Sequence, residues 1–269
     1  MIKHVFCLSV MLSVPMSVIA QDDFRHVDEG RPIRIRDAYP IKFMEWEWEI
    51  GTSAELAEGG NYETAGVIEF KLGIARNFEL GIETHSALTR EAGVSRSGVE
   101  EFATHLLFNL NQEGVSMPAF AIQGDLIAAG VGDVGRQDPA AAIKGIATRT
   151  LGGWRAHVNA GYKWASALDD GDYWMGGVAL DRALGLSSRV LLGDIYVEIP
   201  ADGEQARVWL DFGSRLQMTK TLVLDAGISA RLDEWVDGNS NIGITVGLSR
   251  NFGFGALVGV PPYPNPRIN

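Results

Sequence analysis

The chain sets its ionisable residues in alternating rows. Glu45, Glu47 and Glu49 take every second position, Glu69 and Lys71 follow, then Glu83 with His85, and then His105. Arg155, His157 and Lys163 share one later row. Asp194, Glu198, Arg207, Asp211, Arg215, Asp225 and Arg231 complete the set. Such residues can ligate a metal, exchange protons, or line a water-filled path with charge. A metal site wants a fixed local spacing, yet His85, His105 and His157 lie on three separate runs, so they read as hydrogen-bonding histidines. Nucleophilic catalysis needs a hydroxyl beside a base. No G-x-S-x-G is present, and Ser214 and Ser229 read as small luminal or turn-proximal residues. No enzyme, cofactor or metal is therefore expected. Lining a lumen is the chemistry that remains.

The elements that would position these rows are extended strands, in which successive side chains face opposite ways. Glu45, Glu47 and Glu49 alternate with Met44, Trp46, Trp48 and Ile50. Ile68, Phe70, Leu72 and Ile74 oppose Glu69 and Lys71, and Phe78, Leu80 and Ile82 oppose Glu79, Glu83 and His85. Trp154, Ala156, Val158, Ala160, Tyr162 and Trp164 alternate without fault against Arg155, His157, Asn159, Gly161 and Lys163. About a dozen such runs follow one another, the last being Asn241–Phe252; only 118–129 and 139–149, rich in alanine, leave their register open. Carboxylates facing lipid are costly, so each charged row must face a wet interior. An all-β, antiparallel, up-and-down transmembrane barrel of about twelve strands, both termini in the periplasm, is the expected fold.

The connections agree. Even-numbered ones, Arg76-Asn77, Asn111–Met117, Thr150–Gly153, Ala183–Ser188 and Thr219-Lys220, are short or sparsely acidic, as periplasmic turns should be. Odd-numbered ones are generally longer and contain acids: Glu55 and Glu58, Glu91, Asp133 and Asp138, Asp169 to Asp172, Asp202 and Glu204, Asp233 to Asp237. Aromatics at strand ends, Phe78, Trp154, Trp164, Trp174 and Phe252, suit the two interfacial girdles.

Residues 1–20 read as a cleaved signal peptide: Lys3 and His4, the apolar Val5–Met11, then Val18-Ile19-Ala20 before the cut. With Pro15 inside it, this stretch falls short of a membrane-spanning helix. Residues 21–40 form a polar N-terminal arm placed on the periplasmic side, 41–252 the barrel, and 253–269 a Gly/Pro-rich tail. The only cysteine, Cys7, leaves with the signal, so no disulfide helps the fold. Net charge is −11, one unit more negative without Lys3, and such an acidic surface excludes nucleic acid as a partner.

Two local patterns imitate ligand sites. Gly130-Val131-Gly132-Asp133-Val134-Gly135 matches a dinucleotide fingerprint, but no helix pattern follows and no acid stands near position 155. Asp237, Asn239 and Asn241 resemble a calcium-loop start, yet glycine comes one place late and Leu248 replaces the closing glutamate. Both read as outer-loop sequence.

Arg34-Ile35-Arg36-Asp37-Ala38, the segment Glu45–Gly51, the turn-spanning Gly73–Gly81, His157–Tyr162 and the closing strand to Phe252 together resemble a bacterial outer-membrane family named after the meta-pathway of phenol degradation. The resemblance covers about residues 34–252 and its motifs are diffuse. It implies an outer-membrane barrel that passes small molecules, aromatic ones among them, and it transfers no catalytic residue. This chain departs from the pattern at Gly253–Asn269, beyond the aromatic that closes such barrels.

The functional expectation is a passive channel for a small molecule. Acidic strands one to three and the arginines of strands ten and eleven would form opposed arcs across its lumen. Expected partners are outer-membrane lipid and lipopolysaccharide, the barrel-assembly machinery acting on the strand that ends at Phe252, and the solute. Two alternatives stay open: a structural or adhesive barrel with an occluded lumen, and a soluble periplasmic barrel with its apolar row turned inward around a ligand.

Overall fold

The computed structural model describes residues 25–56, 61–169, 171–185, 187–233 and 241–253. Twelve strands form one closed barrel: β3 (Glu45–Leu56), β4 (Tyr62–Ala75), β5 (Phe78–Glu91), β6 (Val94–Asn111), β7 (Ala119–Gly132), β8 (Ala140–Leu151), β9 (Trp154–Trp164), β10 (Tyr173–Ala183), β11 (Arg189–Pro200), β12 (Arg207–Gln217), β13 (Leu222–Arg231) and β14 (Ile242–Gly253). Every neighbour is antiparallel, and β14 closes on β3 from Gly253↔Glu45 to Ile242↔Leu56. The Trp46 and Phe252 rings stack across this seam at 4.2 Å. Closure leaves no strand edge unpaired, which lipid requires of a spanning sheet.

Orientation follows the sequence rows. Glu49 is 1% exposed and its neighbour Ile50 is 49% exposed, so the charged row faces in and the apolar row faces out. The soluble alternative needs the opposite arrangement. A charge on the outer row would cost about 2–4 kcal/mol at the bilayer midplane, which accounts for the isoleucines, valines and leucines there. Among the sites assigned to the girdles, Trp154, Trp164 and Trp174 are exposed on the outer wall, whereas Phe252 is covered by Trp46 and Arg250.

The ambiguous alanine-rich runs are β7 and β8. Ala119, Ala121, Gln123, Asp125 and Ile127 face in, opposite Phe120, Ile122 and Leu126. Both rows are largely apolar, so alternation of polarity could not set the register; pairing of Ala119 with Thr148 sets it. Ser214 lies on the outward row between the buried Gly213 and Arg215, not in the lumen.

One connection departs from the expected long acidic loops. β5 and β6 are joined by Ala92-Gly93 alone, with φ of 47° and 83°. Two left-handed residues match the twist of a two-residue hairpin, so pairing runs from Arg90↔Ser95 into the barrel wall, with one register shift between His85 and Ser86. The residues taken for a loop are the projecting ends of two long strands. The wall strands therefore have a short-turn end and a loop end, and the described chain enters and leaves at the short-turn end.

Residues 25–41 lie inside the barrel. They run inward past a small parallel ladder, β1 (Asp28–Glu29) with β2 (Pro32–Ile33), and return to start β3. Asp37 N–H donates to the Val27 carbonyl at 2.9 Å, tying the two limbs together. Residues 25–41 of the arm expected on the periplasmic side are drawn into the lumen because Val27, Ile33 and Ile35 need an apolar partner. They find it in Ala142, Tyr173, Met175, Ala179, Val190, Leu192 and Tyr196.

Candidate functional site

The wall is shaped to seat the arm. Gly213 and Gly227 face each other across β12 and β13, and Pro32 sits against both. A Cβ on Gly213 would fall 2.5 Å from Pro32 Cγ, and one on Gly227 would fall 2.7 Å from Pro32 Cβ. Gly51 and Gly247 form a second facing pair, across β3 and β14, and the stem of Arg31 lies over them. Only glycine leaves room for this approach of arm to wall.

Polar wall residues hold the arm backbone. Asp194 Oδ2 accepts from the N–H groups of Arg34 (2.8 Å) and Ile35 (3.0 Å). Asn159 Oδ1 accepts from Arg36 N–H at 3.1 Å, while its Nδ2 donates to the Arg36 carbonyl at 2.9 Å. Glu79 Oε2 accepts from Ile41 N–H, and Asn109 Nδ2 donates to the Ala38 carbonyl, both at 2.8 Å. An extended peptide in a lumen has no sheet to satisfy it, so side chains must do so.

Charge forms a layer across the lumen. Lys71 Nζ lies 2.6 Å from Glu49, 2.7 Å from Asp28, 3.6 Å from Glu69 and 3.7 Å from Glu47. Arg31 pairs with Glu49, and Arg36 reaches Glu79 at 2.9 Å and Gln123 at 2.7 Å. His105 Nε2 is 3.0 Å from Glu79. Asp28, Glu47 and Glu49 are close enough to share a cation, but the Lys71 ammonium already serves that group.

Below this layer, toward the short turns, Arg155 Nε and His157 Nε2 both meet Asp181 Oδ2, at 2.9 and 2.7 Å. His157 Nδ1 is 3.0 Å from the Thr148 hydroxyl. Hydroxyl, imidazole and carboxylate in line imitate a nucleophilic triad. All three are buried, however, and the Thr148 oxygen accepts from Ala38 N–H at 2.9 Å. The group anchors the arm; no substrate reaches it in this conformation.

The remaining residues singled out by sequence divide between the two ends. Glu83 and His85 pair at 3.2 Å and, with Lys163, line a cavity of about 250 Å³ at the loop end. Glu45 lines a cavity of about 460 Å³ at the short-turn end, with Asp37, Tyr39, Arg76 and Glu113. Arg207 meets Glu198 at 3.4 Å, Arg215 meets Asp225 at 2.8 Å, and Arg231 meets Asp233 at 3.1 Å. Asp211 forms an ion pair with Arg34 at 3.3 Å.

The opposed arcs expected from sequence do not stand as drawn. β12 and β13 lie next to the closing seam, beside β3 and not across from it. Their arginines are taken up by wall and arm carboxylates, and the acids of β3–β5 by Lys71, Arg31 and Arg36. A buried charge stays ionised only with a partner close by, so neither arc is left bare. Arm residues Asp28, Arg31, Arg36 and Asp37, and wall residues Gln123, Lys144 and Asp181, were not anticipated as part of the site. The alternation of Ile33 and Ile35 with Arg34 and Arg36 was the available signal for the arm.

No protein-family profile and no curated protein sequence matches the chain. Among solved structures, an outer membrane channel from Pseudomonas putida F1 superposes with a TM-score of 0.61 at 10% identity, covering 84% of this chain and 100% of that one. The KdgM porin superposes with a TM-score of 0.50 at 10% identity, covering 76% of this chain and 99% of that one. The chain thus shares, over nearly the full length of both comparators, the closed antiparallel barrel fold of outer-membrane proteins.

Proposed function

We propose that this protein is a passive outer-membrane channel for a small molecule, with the N-terminal arm as a septum across its lumen. One observation carries the reading: two cavities lined by charged residues, about 250 and 460 Å³, lie at the loop end and the short-turn end with the arm between them. A structural barrel has no need of recesses on both sides of its filling. The loop-end recess presents Tyr173 and Tyr196, which suits an aromatic solute, in line with the resemblance to the phenol meta-pathway family. In this reading residues 1–20 direct export, both ends of the mature chain stay in the periplasm, and the strand ending at Phe252 is what the assembly machinery recognises. Lipid covers the outer row and lipopolysaccharide meets the acidic loops.

A second reading, the occluded structural barrel, is favoured by the complete burial of Val27, Ile35 and Ala38 of the arm. Planar-bilayer recording separates the two. Current steps from refolded mature protein, rising when residues 21–41 are cut free of the lumen, are the expected result. A folded, inserted barrel that never conducts in either form would remove the channel reading.

A further inference from the structure

We propose that the loop-end cavity is a binding site for a small zwitterion, a molecule carrying an ammonium and a carboxylate on a short carbon chain. The proposal rests on the channel reading for its biological sense, and on the cavity for its chemistry. β4, β5, β6 and β7 contribute Glu69, Glu83, Glu101 and Asp125 to one side. β9 contributes Lys163 and the arm contributes Arg34 on the other side, with Tyr173 and Tyr196 beside them. In a ring of twelve strands β10 and β11 lie across from β4 and β5, so Tyr173 and Tyr196 face Glu69 and Glu83, while Lys163 on β9 stands two strands from Asp125 on β7.

Aromatic rings hold the cations at their wall. Lys163 Nζ stands 5.4 Å from the centre of Tyr173, and Arg34 stands 4.7 Å from Trp209. Counter-charges temper each side: Lys71, Lys144, His85 and His105 among the acids, Glu198 among the cations, and the arm adds Asp28, Glu29 and Arg36 to the lining. What remains is a field with a negative and a positive side across one small cavity. A lone cation or anion gains at one side and loses at the other. A molecule with both charges gains at both, and the tyrosine faces cover its carbon chain.

Titration calorimetry on the refolded, full mature chain in detergent tests this, with 4-aminobutanoate, butanoate and butylammonium as probes at matched ionic strength. Binding of 4-aminobutanoate should be about tenfold or more tighter than that of either singly charged probe. Glu101→Gln should weaken 4-aminobutanoate and butylammonium and leave butanoate unchanged; Lys163→Gln should weaken 4-aminobutanoate and butanoate and leave butylammonium unchanged. Equal affinity for all three probes, or no binding by protein with a folded barrel's electrophoretic mobility, overturns the proposal. A barrel that binds the zwitterion yet never conducts loses only the channel reading. One that conducts but treats the three probes alike loses only this one.

Discussion

Gly227→Ala should loosen the arm without opening the barrel. The added methyl would sit 2.7 Å from Pro32 Cβ and 3.0 Å from the Pro32 carbonyl, and neither atom is the free end of a flexible side chain. The arm must therefore lift or the wall must bend. Overpacking of this kind costs about 1–3 kcal/mol, which raises the fraction of displaced arm about 5- to 150-fold. Cys7 is the chain's single cysteine, so in protein made without residues 1–20 Val27→Cys supplies a clean reporter at a position that is 0% exposed. Its rate of modification by a water-soluble maleimide should rise by that factor in the Gly227→Ala background. Gly145→Ala is the control, since a Cβ there meets only the Ala160 carbonyl at 3.9 Å. Adding Pro32→Gly removes the ring that overlaps and should restore slow labelling, the signature of a direct contact. Labelling that is indifferent to Gly227→Ala, in a barrel of unchanged thermal stability, would refute the seat assigned to Pro32.

Three further outcomes follow from the same geometry. Lys71→Met leaves Asp28, Glu47, Glu49 and Glu69 buried without their shared cation and should destabilise the refolded barrel by about 3–5 kcal/mol in urea titration, whereas a loss near zero would show that water reaches the layer. Thr148→Val strips Ala38 N–H of its acceptor at a cost of about 1–3 kcal/mol, again read as faster labelling at position 27; an unchanged rate would mean the triad-like group does not anchor the arm. At the turn before β7, slight burial pushes the Glu113 carboxyl up, but the Thr150 amide and hydroxyl and the Arg149 guanidinium outweigh it and hold the group below its ordinary range. A depressed folded value stabilises above the unfolded value, roughly 4.3, and the benefit fades as pH falls through the folded one, so hydrogen-exchange protection of the Thr150 amide should drop in acid; protection independent of pH would contradict the pairing.

Strand number and orientation were legible because the two rows differ so sharply in polarity. Glu45 to Ile50 and Trp154 to Trp164 leave one way to face a bilayer. β7 and β8 resisted because alanine and isoleucine serve both faces, so register there depends on a partner strand. The Ala92-Gly93 hairpin escaped notice for a related reason: polar residues past the membrane look like loop whether or not they pair. Alternation sorts the charged residues into one row but says nothing of their roles. A strand pattern says that Asp194 and Asn159 face the lumen; it does not say that a peptide waits there to be held. Likewise the facing glycines at 213 and 227 become a notch only once the register brings them together.

Spin-label accessibility in reconstituted bilayers tests the central claim most directly, which is that oily rows meet lipid while the arm is packed inside. A label at Val158, 46% exposed on the outer wall, should relax with dissolved oxygen and ignore a water-soluble nickel chelate, while one at Val27 should be immobile and shielded from both. A label at Val158 that answers to the chelate, or one at Val27 that tumbles freely in water, would contradict the account.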